Sequence, residues 1–146
     1  MSKADDAVSC FSRGFNCSQA VFSAFSEENG MSREDALKVA CAFGAGMGRM
    51  GATCGAVTGA FMALGLKYGK YKEGDEAAKE KTYALVNEFA KRFKARNGTI
   101  VCKELLEGCD LATSEGAKTF KEQGFHAKRC TKYVRDAAEI LEDLMK

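Results

Sequence analysis

The chain of 146 residues is 46% apolar and 29% charged, which suits one globular domain and excludes a disordered chain. Its 22 basic and 20 acidic residues give a net charge of +2 and are mixed along the sequence. There is no basic field of the kind that recruits nucleic acid, so no nucleic-acid partner is expected.

A cytoplasmic location without membrane insertion is expected from the N-terminus and the hydropathy. The N-terminal sequence MSKADDAVSC is charged where a secretory signal needs an apolar run, and the longest apolar run, 56–66, is too short to cross a bilayer. The seven cysteines would then lie in a reducing compartment, where a permanent disulfide framework is not expected. They form no C-x-x-C motif, and the single histidine excludes a zinc finger with two histidine ligands.

Helices are predicted over most of the chain, because apolar residues recur at intervals of three and four. In chain order the predicted segments are 3–13, 16–30, 32–43, 53–69, 74–98, 102–108, 114–124 and 130–146. Asn16, Ser32 and Asp75 are expected to cap three of them, and Gly30 and Gly98 to end two. No segment has the alternation of a strand. The sequence therefore predicts an all-α fold, a bundle of about six or seven helices forming a single domain over residues 1–146.

Two of these helices have a clear apolar face that should point into the core. In helix 74–98 the predicted buried residues are Ala78, Thr82, Leu85, Phe89 and Phe93. In helix 130–146 they are Val134, Ala138, Leu141 and Met145.

The glycine-rich stretch 43–60, FGAGMGRMGATCGAVTGA, contains the spacing G-x-G-x-x-G of a dinucleotide-binding loop. That spacing binds pyrophosphate only between a strand and a helix, and here it follows a predicted helix, so nucleotide binding is not expected. Small residues at Gly59, Ala60 and Ala63 instead predict a close helix crossing, within the chain or across a homodimer. The remaining glycines of 44–51 should form a pliable approach to the cysteine that follows.

Four cysteines lie at the starts of predicted helices: Cys17, Cys54, Cys102 and Cys130. Free N–H groups and the positive end of the helix dipole favour the thiolate at such positions, and Thr53 is the expected cap before Cys54. Lys128 and Arg129 should favour a thiolate on the residue that follows them. This placement is typical of reactive or metal-binding cysteines. Cys10 and Cys41 are expected to pack as small apolar residues.

The sequence around these cysteines resembles the C_GCAxxG_C_C family, small chains named for spaced cysteines around a short Cys/Gly/Ala core and described as redox-active. The core stands here as CGAVTG, 54–59, with NCSQAV upstream and CKELLEGCD and CTKYV downstream; the resemblance runs from about Gly14 to Leu144. It implies that the four helix-start cysteines are the signature cysteines. A related domain accompanies an iron–sulfur centre in some multihaem cytochromes, which implies a metal alternative. The family writes Gly-Cys-Ala where this chain has Cys-Gly-Ala, and Cys10 and Cys41 match no family position.

The first functional hypothesis is thiol–disulfide exchange or electron transfer, which would make the chain a thiol–disulfide oxidoreductase that needs no cofactor. Cys54 would be the attacking thiolate, and Cys17 or Cys130 would resolve the mixed disulfide. Gly51 and Gly55 would let a substrate or cofactor approach Cys54, and Arg49 would hold an anionic group. The partner would be a redox protein or a small molecule.

Two further hypotheses stay open. In the second, the protein is a binding module whose thiolates Cys17, Cys54, Cys102 and Cys130 hold zinc or an iron–sulfur cluster. In the third, it is a structural or partner-binding helical domain in which the cysteines have no chemistry. A homodimer is compatible with all three.

Overall fold

The structure is a computed structural model and describes residues 2–146. In chain order its helices are α1 (Lys3–Ser12), α2 (Cys17–Ser26), α3 (Arg33–Cys41), α4 (Gly44–Met47, a single turn with left-handed backbone angles), α5 (Gly55–Tyr68), α6 (Glu76–Asn97), α7 (Cys102–Leu105), α8 (Ser114–Glu122) and α9 (Thr131–Leu144). A 3-10 turn, Glu27–Asn29, follows α2, and a π-helical turn, His126–Cys130, continues directly into α9. Residues 2–146 contain no β-strand, which confirms the predicted all-α fold. None of the described helices has both the length and the hydropathy that a membrane span requires.

The helix boundaries follow local sequence signals at most of the predicted caps. The Asn16 side chain accepts a hydrogen bond from the Gln19 N–H, and the Gln19 side chain accepts one from the Asn16 N–H. Ser32 and Asp75 also cap their helices with their side chains, as predicted. Gly98 ends α6 with φ of 87°, a backbone angle that glycine adopts without strain.

One predicted cap is wrong, because a long-range contact displaces it. Thr53 does not cap α5; it forms an isolated antiparallel bridge with Val101. The Cys54 N–H donates to the Ile100 carbonyl at 2.7 Å, and the Cys102 N–H donates to the Ala52 carbonyl at 2.6 Å. This pairing holds the chain extended before α5, so that Cys54 itself becomes the N-cap.

Helices α2 and α5 cross closely at the centre of the bundle. A Cβ at Gly59 would lie 2.7 Å from the Ser18 carbonyl oxygen, so only glycine allows this approach. Ala60 and Ala63 are completely buried beside it. The predicted close crossing is therefore confirmed and lies within one chain. Because Gly59, Ala60 and Ala63 are buried in this crossing, they give no support to a homodimer.

Helix α9 buries the face that its sequence predicts, whereas α6 does so only in part. Val134, Ala138, Leu141 and Met145 are all buried. Phe89 and Phe93 are fully buried, whereas Ala78, Thr82 and Leu85 are half-buried, with Leu85 packed against the core, so the predicted face is confirmed in full only near the end of the helix. The polar contacts between α6 and α9 involve residues 92–97, near the end of α6, which explains why burial is greatest there.

Candidate functional site

Four of the seven cysteines line one cavity of about 350 Å³. Cys17 is the first residue of α2, Cys54 caps α5, Cys102 is the first residue of α7, and Cys130 ends the π-helical turn. They are the same four cysteines that sequence position singles out one by one. What the fold adds is that it brings them together from four separate segments.

Two of these cysteines act on each other within the cavity. The Cys17 thiol lowers the pKa of Cys130 against the opposing effect of burial. Cys130 in turn is the largest cause that raises the pKa of Cys17 well above its ordinary value, and burial adds to it. The arrangement therefore favours a thiolate on Cys130 with the proton held on Cys17.

The other two cavity cysteines are held in the neutral form. Burial raises the pKa of Cys54 to about 12, although the backbone N–H groups of Ala56 and Val57 oppose the shift. Burial also raises the pKa of Cys102 to about 12. The expectation that a helix start would make these two thiols acidic is therefore wrong, because desolvation outweighs the helix N-terminus.

The lowered pKa of Cys130 agrees with its prediction in direction but not in cause. The π-helical turn runs without a break into α9, so Cys130 does not lie at a free helix N-terminus. Arg129 is bound to Glu107 at 2.6 Å, and the thiolate is stabilised by Cys17 instead. The lowered pKa of Cys130 is therefore caused by Cys17 on α2, and not by the basic residues and helix start in its own sequence.

A left-handed turn lies beside the cavity and supports Cys102. Residues 45–49 all have positive φ, between 57° and 74°, and three of them, Ala45, Met47 and Arg49, are not glycine. A left-handed conformation costs a non-glycine residue about 1–2 kcal/mol, and such strain is often found next to functional sites. A Cβ at Gly46 would lie 2.7 Å from the Cys102 Cβ, so the turn packs directly against this cysteine. The segment 44–51, which was predicted to be a pliable approach to Cys54, thus contains a left-handed turn that packs against Cys102.

The three predicted ligand-contacting residues lie at different distances from the thiols. Arg49 and Gly55 line the cavity, and a Cβ at Gly55 would lie 3.2 Å from the Cys17 Cβ. Gly51 does not line it; its carbonyl accepts a hydrogen bond from the Lys103 N–H at 3.2 Å. Gly51 therefore holds the start of α7 in place.

The walls of the cavity are mainly apolar and aromatic. Phe11 stacks on His126 with ring centroids 4.0 Å apart, and Phe15 and Phe120 add further rings. Tyr133 donates to the Leu105 carbonyl at 2.9 Å, and burial raises the pKa of its hydroxyl. Sequence reasoning missed Phe11 and Tyr133 as wall residues, because their spacing shows only that they face the core.

The remaining cysteines lie outside this cavity. Cys10 is buried, as predicted, and Arg33 donates to its sulfur at 3.4 Å. Cys41 is exposed at the end of α3, so its predicted packing role is wrong; of that helix only Ala36 and Ala40 are buried. Cys109 is buried and donates to the Gly116 carbonyl at 3.0 Å.

The cavity cysteines do not fit a metal site in this arrangement. Among residues 2–146, no group of three or more His, Cys, Asp or Glu side chains is placed so that it could hold a metal ion. Zinc and iron–sulfur ligation by four thiolates needs sulfurs that are all placed around one centre.

Fold and site together define an all-α protein with four cysteines in one cavity, two of which, Cys17 and Cys130, act on each other. A family model described as "Putative redox-active protein (C_GCAxxG_C_C)" matches residues 15–144, which include all four cavity cysteines. The chain belongs to this family, and the resemblance noted from its cysteine pattern is confirmed. A search of curated proteins and a search of solved structures found no match.

Proposed function

We propose that the protein is a thiol–disulfide oxidoreductase in which Cys130 is the attacking thiolate and Cys17 the resolving thiol. The observation that carries this proposal is that Cys17 and Cys130 line the same cavity, where the pKa of Cys130 is lowered by Cys17 and the pKa of Cys17 is raised. Membership of a family described as redox-active supports it. Cys54 is no longer the preferred nucleophile, because burial raises its pKa to about 12.

The exchange proceeds in two balanced steps. The Cys130 thiolate attacks one sulfur of a disulfide RSSR′; a Cys130–S–S–R bond forms, the S–S bond of RSSR′ breaks, and R′S⁻ leaves. The proton of Cys17 passes to R′S⁻, giving R′SH. The Cys17 thiolate then attacks the Cys130 sulfur, so that the Cys17–Cys130 disulfide forms and RS⁻ leaves. Two electrons pass from the two protein thiols to the substrate.

The coupling between the two thiols explains why the steps occur in this order. While Cys130 is a thiolate, its interaction with Cys17 keeps the proton on Cys17. Once Cys130 is bonded to R, this effect is lost and the pKa of Cys17 falls, so that only burial and the other thiols still raise it. The resolving thiol is thus activated only after the mixed disulfide has formed.

This function uses one chain as a single domain, and it requires a donor thiol to regenerate the reduced pair. A cytoplasmic location suits that requirement, because its thiol pools are reducing. Both cysteines of the pair come from the same chain, so the proposed chemistry does not depend on a homodimer.

The first prediction concerns the mixed disulfide. In a Cys41→Ser background, which removes an exposed thiol, Cys17→Ser should trap a stable adduct on Cys130 after treatment with bis(2-hydroxyethyl) disulfide. The serine hydroxyl can still donate a hydrogen bond to the thiolate but cannot resolve the disulfide. Intact-mass measurement and peptide mapping locate the adduct.

The matched variant is Cys130→Ser in the same background. Loss of the attacking thiolate should slow modification of the cavity cysteines by roughly tenfold or more, because burial still raises the pKa of each remaining thiol. The parent protein should lose two hydrogens and form an internal disulfide. An adduct on Cys54 or Cys102 in the Cys17→Ser variant would contradict the assigned roles.

A further inference from the structure

We propose that the substrate of this cysteine pair is a small disulfide with an apolar body and an anionic group, and that disulfides of folded proteins are not substrates. This inference rests on the proposed function and concerns the same cavity. It rests on three observations: the thiols are enclosed, the cavity walls are mainly apolar, and Arg49 lines the cavity without an ion-pair partner among residues 2–146.

The enclosure limits the size of the substrate. Cys130 is 9% exposed, Cys102 8% and Cys54 4%, and all line a cavity of about 350 Å³. Cavities of roughly 300–1,000 Å³ accommodate small molecules and bury most of their surface. A disulfide anchored at both ends in a folded protein would have to bring its own main chain into this space. For a small disulfide, only one half of the molecule has to enter the cavity.

The walls favour an apolar body. Phe11, Phe15 and Phe120 contribute rings, and the stacked pair of Phe11 and His126 lies along one side. Flat apolar or aromatic groups gain both from loss of water contact and from ring geometry in such a place. A strongly hydrated substrate would instead lose its water contacts without replacement.

The charges favour an anion. Arg49 lines the cavity, and no Asp or Glu is among the described residues that line it. Four of the seven arginines are paired with carboxylates, and of the three for which no such pair is seen within residues 2–146, only Arg49 lines the cavity. Its backbone is held in the left-handed turn, with φ of 74°, so the position of this residue beside the cavity is set by the fold. A carboxylate on the substrate is the complementary partner.

The exchange follows the two steps proposed for RSSR′, and R is the apolar, anionic half of the substrate. R is bound in the cavity when Cys130 attacks the sulfur that carries it, and R′S⁻ leaves toward solvent. After Cys17 resolves the mixed disulfide, R leaves as its thiolate. No oxidant other than the substrate disulfide is needed.

The test compares two disulfides of the same shape, 4,4′-dithiodibenzoate and its neutral amide 4,4′-dithiodibenzamide, in the Cys41→Ser background. Rates of Cys17–Cys130 oxidation are measured and divided by the rate of each disulfide with free N-acetylcysteine. The carboxylate should react roughly three- to tenfold faster than the amide after this correction, as for a charge-assisted contact at a partly exposed site. Arg49→Gln should remove that preference, while Arg13→Gln, a control arginine outside the cavity, should keep it.

Insulin tests whether a protein disulfide is a substrate, and slow oxidation of Cys17 and Cys130 by insulin is expected. Oxidised dithiothreitol tests whether the two cysteines can be oxidised to a disulfide at all. Insulin reacting as fast as dithiodibenzoate, or Arg49→Gln slowing the acid and the amide equally, would overturn the substrate class while leaving the proposed function in place. Failure of every disulfide, including oxidised dithiothreitol, to oxidise the pair would overturn both.

Discussion

Gly46→Ala is expected to destabilise the protein by about 2–5 kcal/mol, the sum of a left-handed alanine and an overpacked contact. Gly46 has φ of 66°, and its added Cβ would lie 2.7 Å from the Cys102 Cβ and 2.8 Å from the backbone of residues 51 and 52. The backbone on that side belongs to the pairing that holds Cys102, so relief would require the cavity wall to move. Urea unfolding measures the change in free energy.

Gly48→Ala is the matched control for this substitution. Gly48 lies in the same turn with φ of 63°, but its added Cβ would meet only the Ala42 carbonyl at 3.8 Å. It should therefore cost only the conformational part, about 1–2 kcal/mol. Equal losses for the two variants would show that the contact between the turn and Cys102 contributes nothing.

Alkaline pH is expected to weaken the fold by roughly 3 kcal/mol between neutrality and pH 10, through Cys54 and Cys102. The pKa of each is raised from an ordinary value of 9.0 to about 12 in the folded protein. The folded state therefore keeps two protons that the unfolded state loses above pH 9. Stability from these thiols is complete below that pH and declines as the pH rises toward 12. Cys17, whose pKa is also raised, acts in the same direction, and Cys130, whose pKa is lowered, acts in the opposite one.

Substitution separates the contributions of the individual thiols. Cys54→Ala and Cys102→Ala should each reduce the alkaline loss by about 1.4 kcal/mol at pH 10, one pH unit above the ordinary thiol pKa. Cys41→Ala, at an exposed site, should leave the pH dependence unchanged. Urea unfolding at pH 7 and pH 10 in the presence of a reductant provides the comparison. Identical pH dependence in all three variants would contradict the burial argument.

Local sequence signals predicted the helices well, because caps are formed by neighbours in the chain. Asn16, Ser32 and Asp75 cap their helices as expected. Thr53 failed as a cap because the segment before α5 pairs with residues 100–102, a contact that no local pattern reveals. The left-handed turn was not foreseen either, since Ala45 and Met47 adopt backbone angles that their residue types disfavour.

The candidate site was predictable in its members but not in its electrostatics. Position at a helix start correctly singled out the four cysteines that line the cavity. The same reasoning gave the wrong protonation state for Cys54 and Cys102, because burial depends on tertiary packing and outweighs the helix N-terminus. The cavity brings Cys17 of the second helix together with Cys130 of the segment before the last one, and sequence spacing contains no information about this.

The most direct test of the central claim is a redox titration of the Cys41→Ser protein in graded mixtures of reduced and oxidised dithiothreitol, with peptide mapping of the disulfides at each step. The account predicts one reversible two-electron transition, a single disulfide between Cys17 and Cys130, and loss of the transition when either cysteine is replaced by serine. The absence of a reversible transition, or a disulfide that joins Cys54 to Cys102 while Cys17 and Cys130 stay reduced, would contradict it.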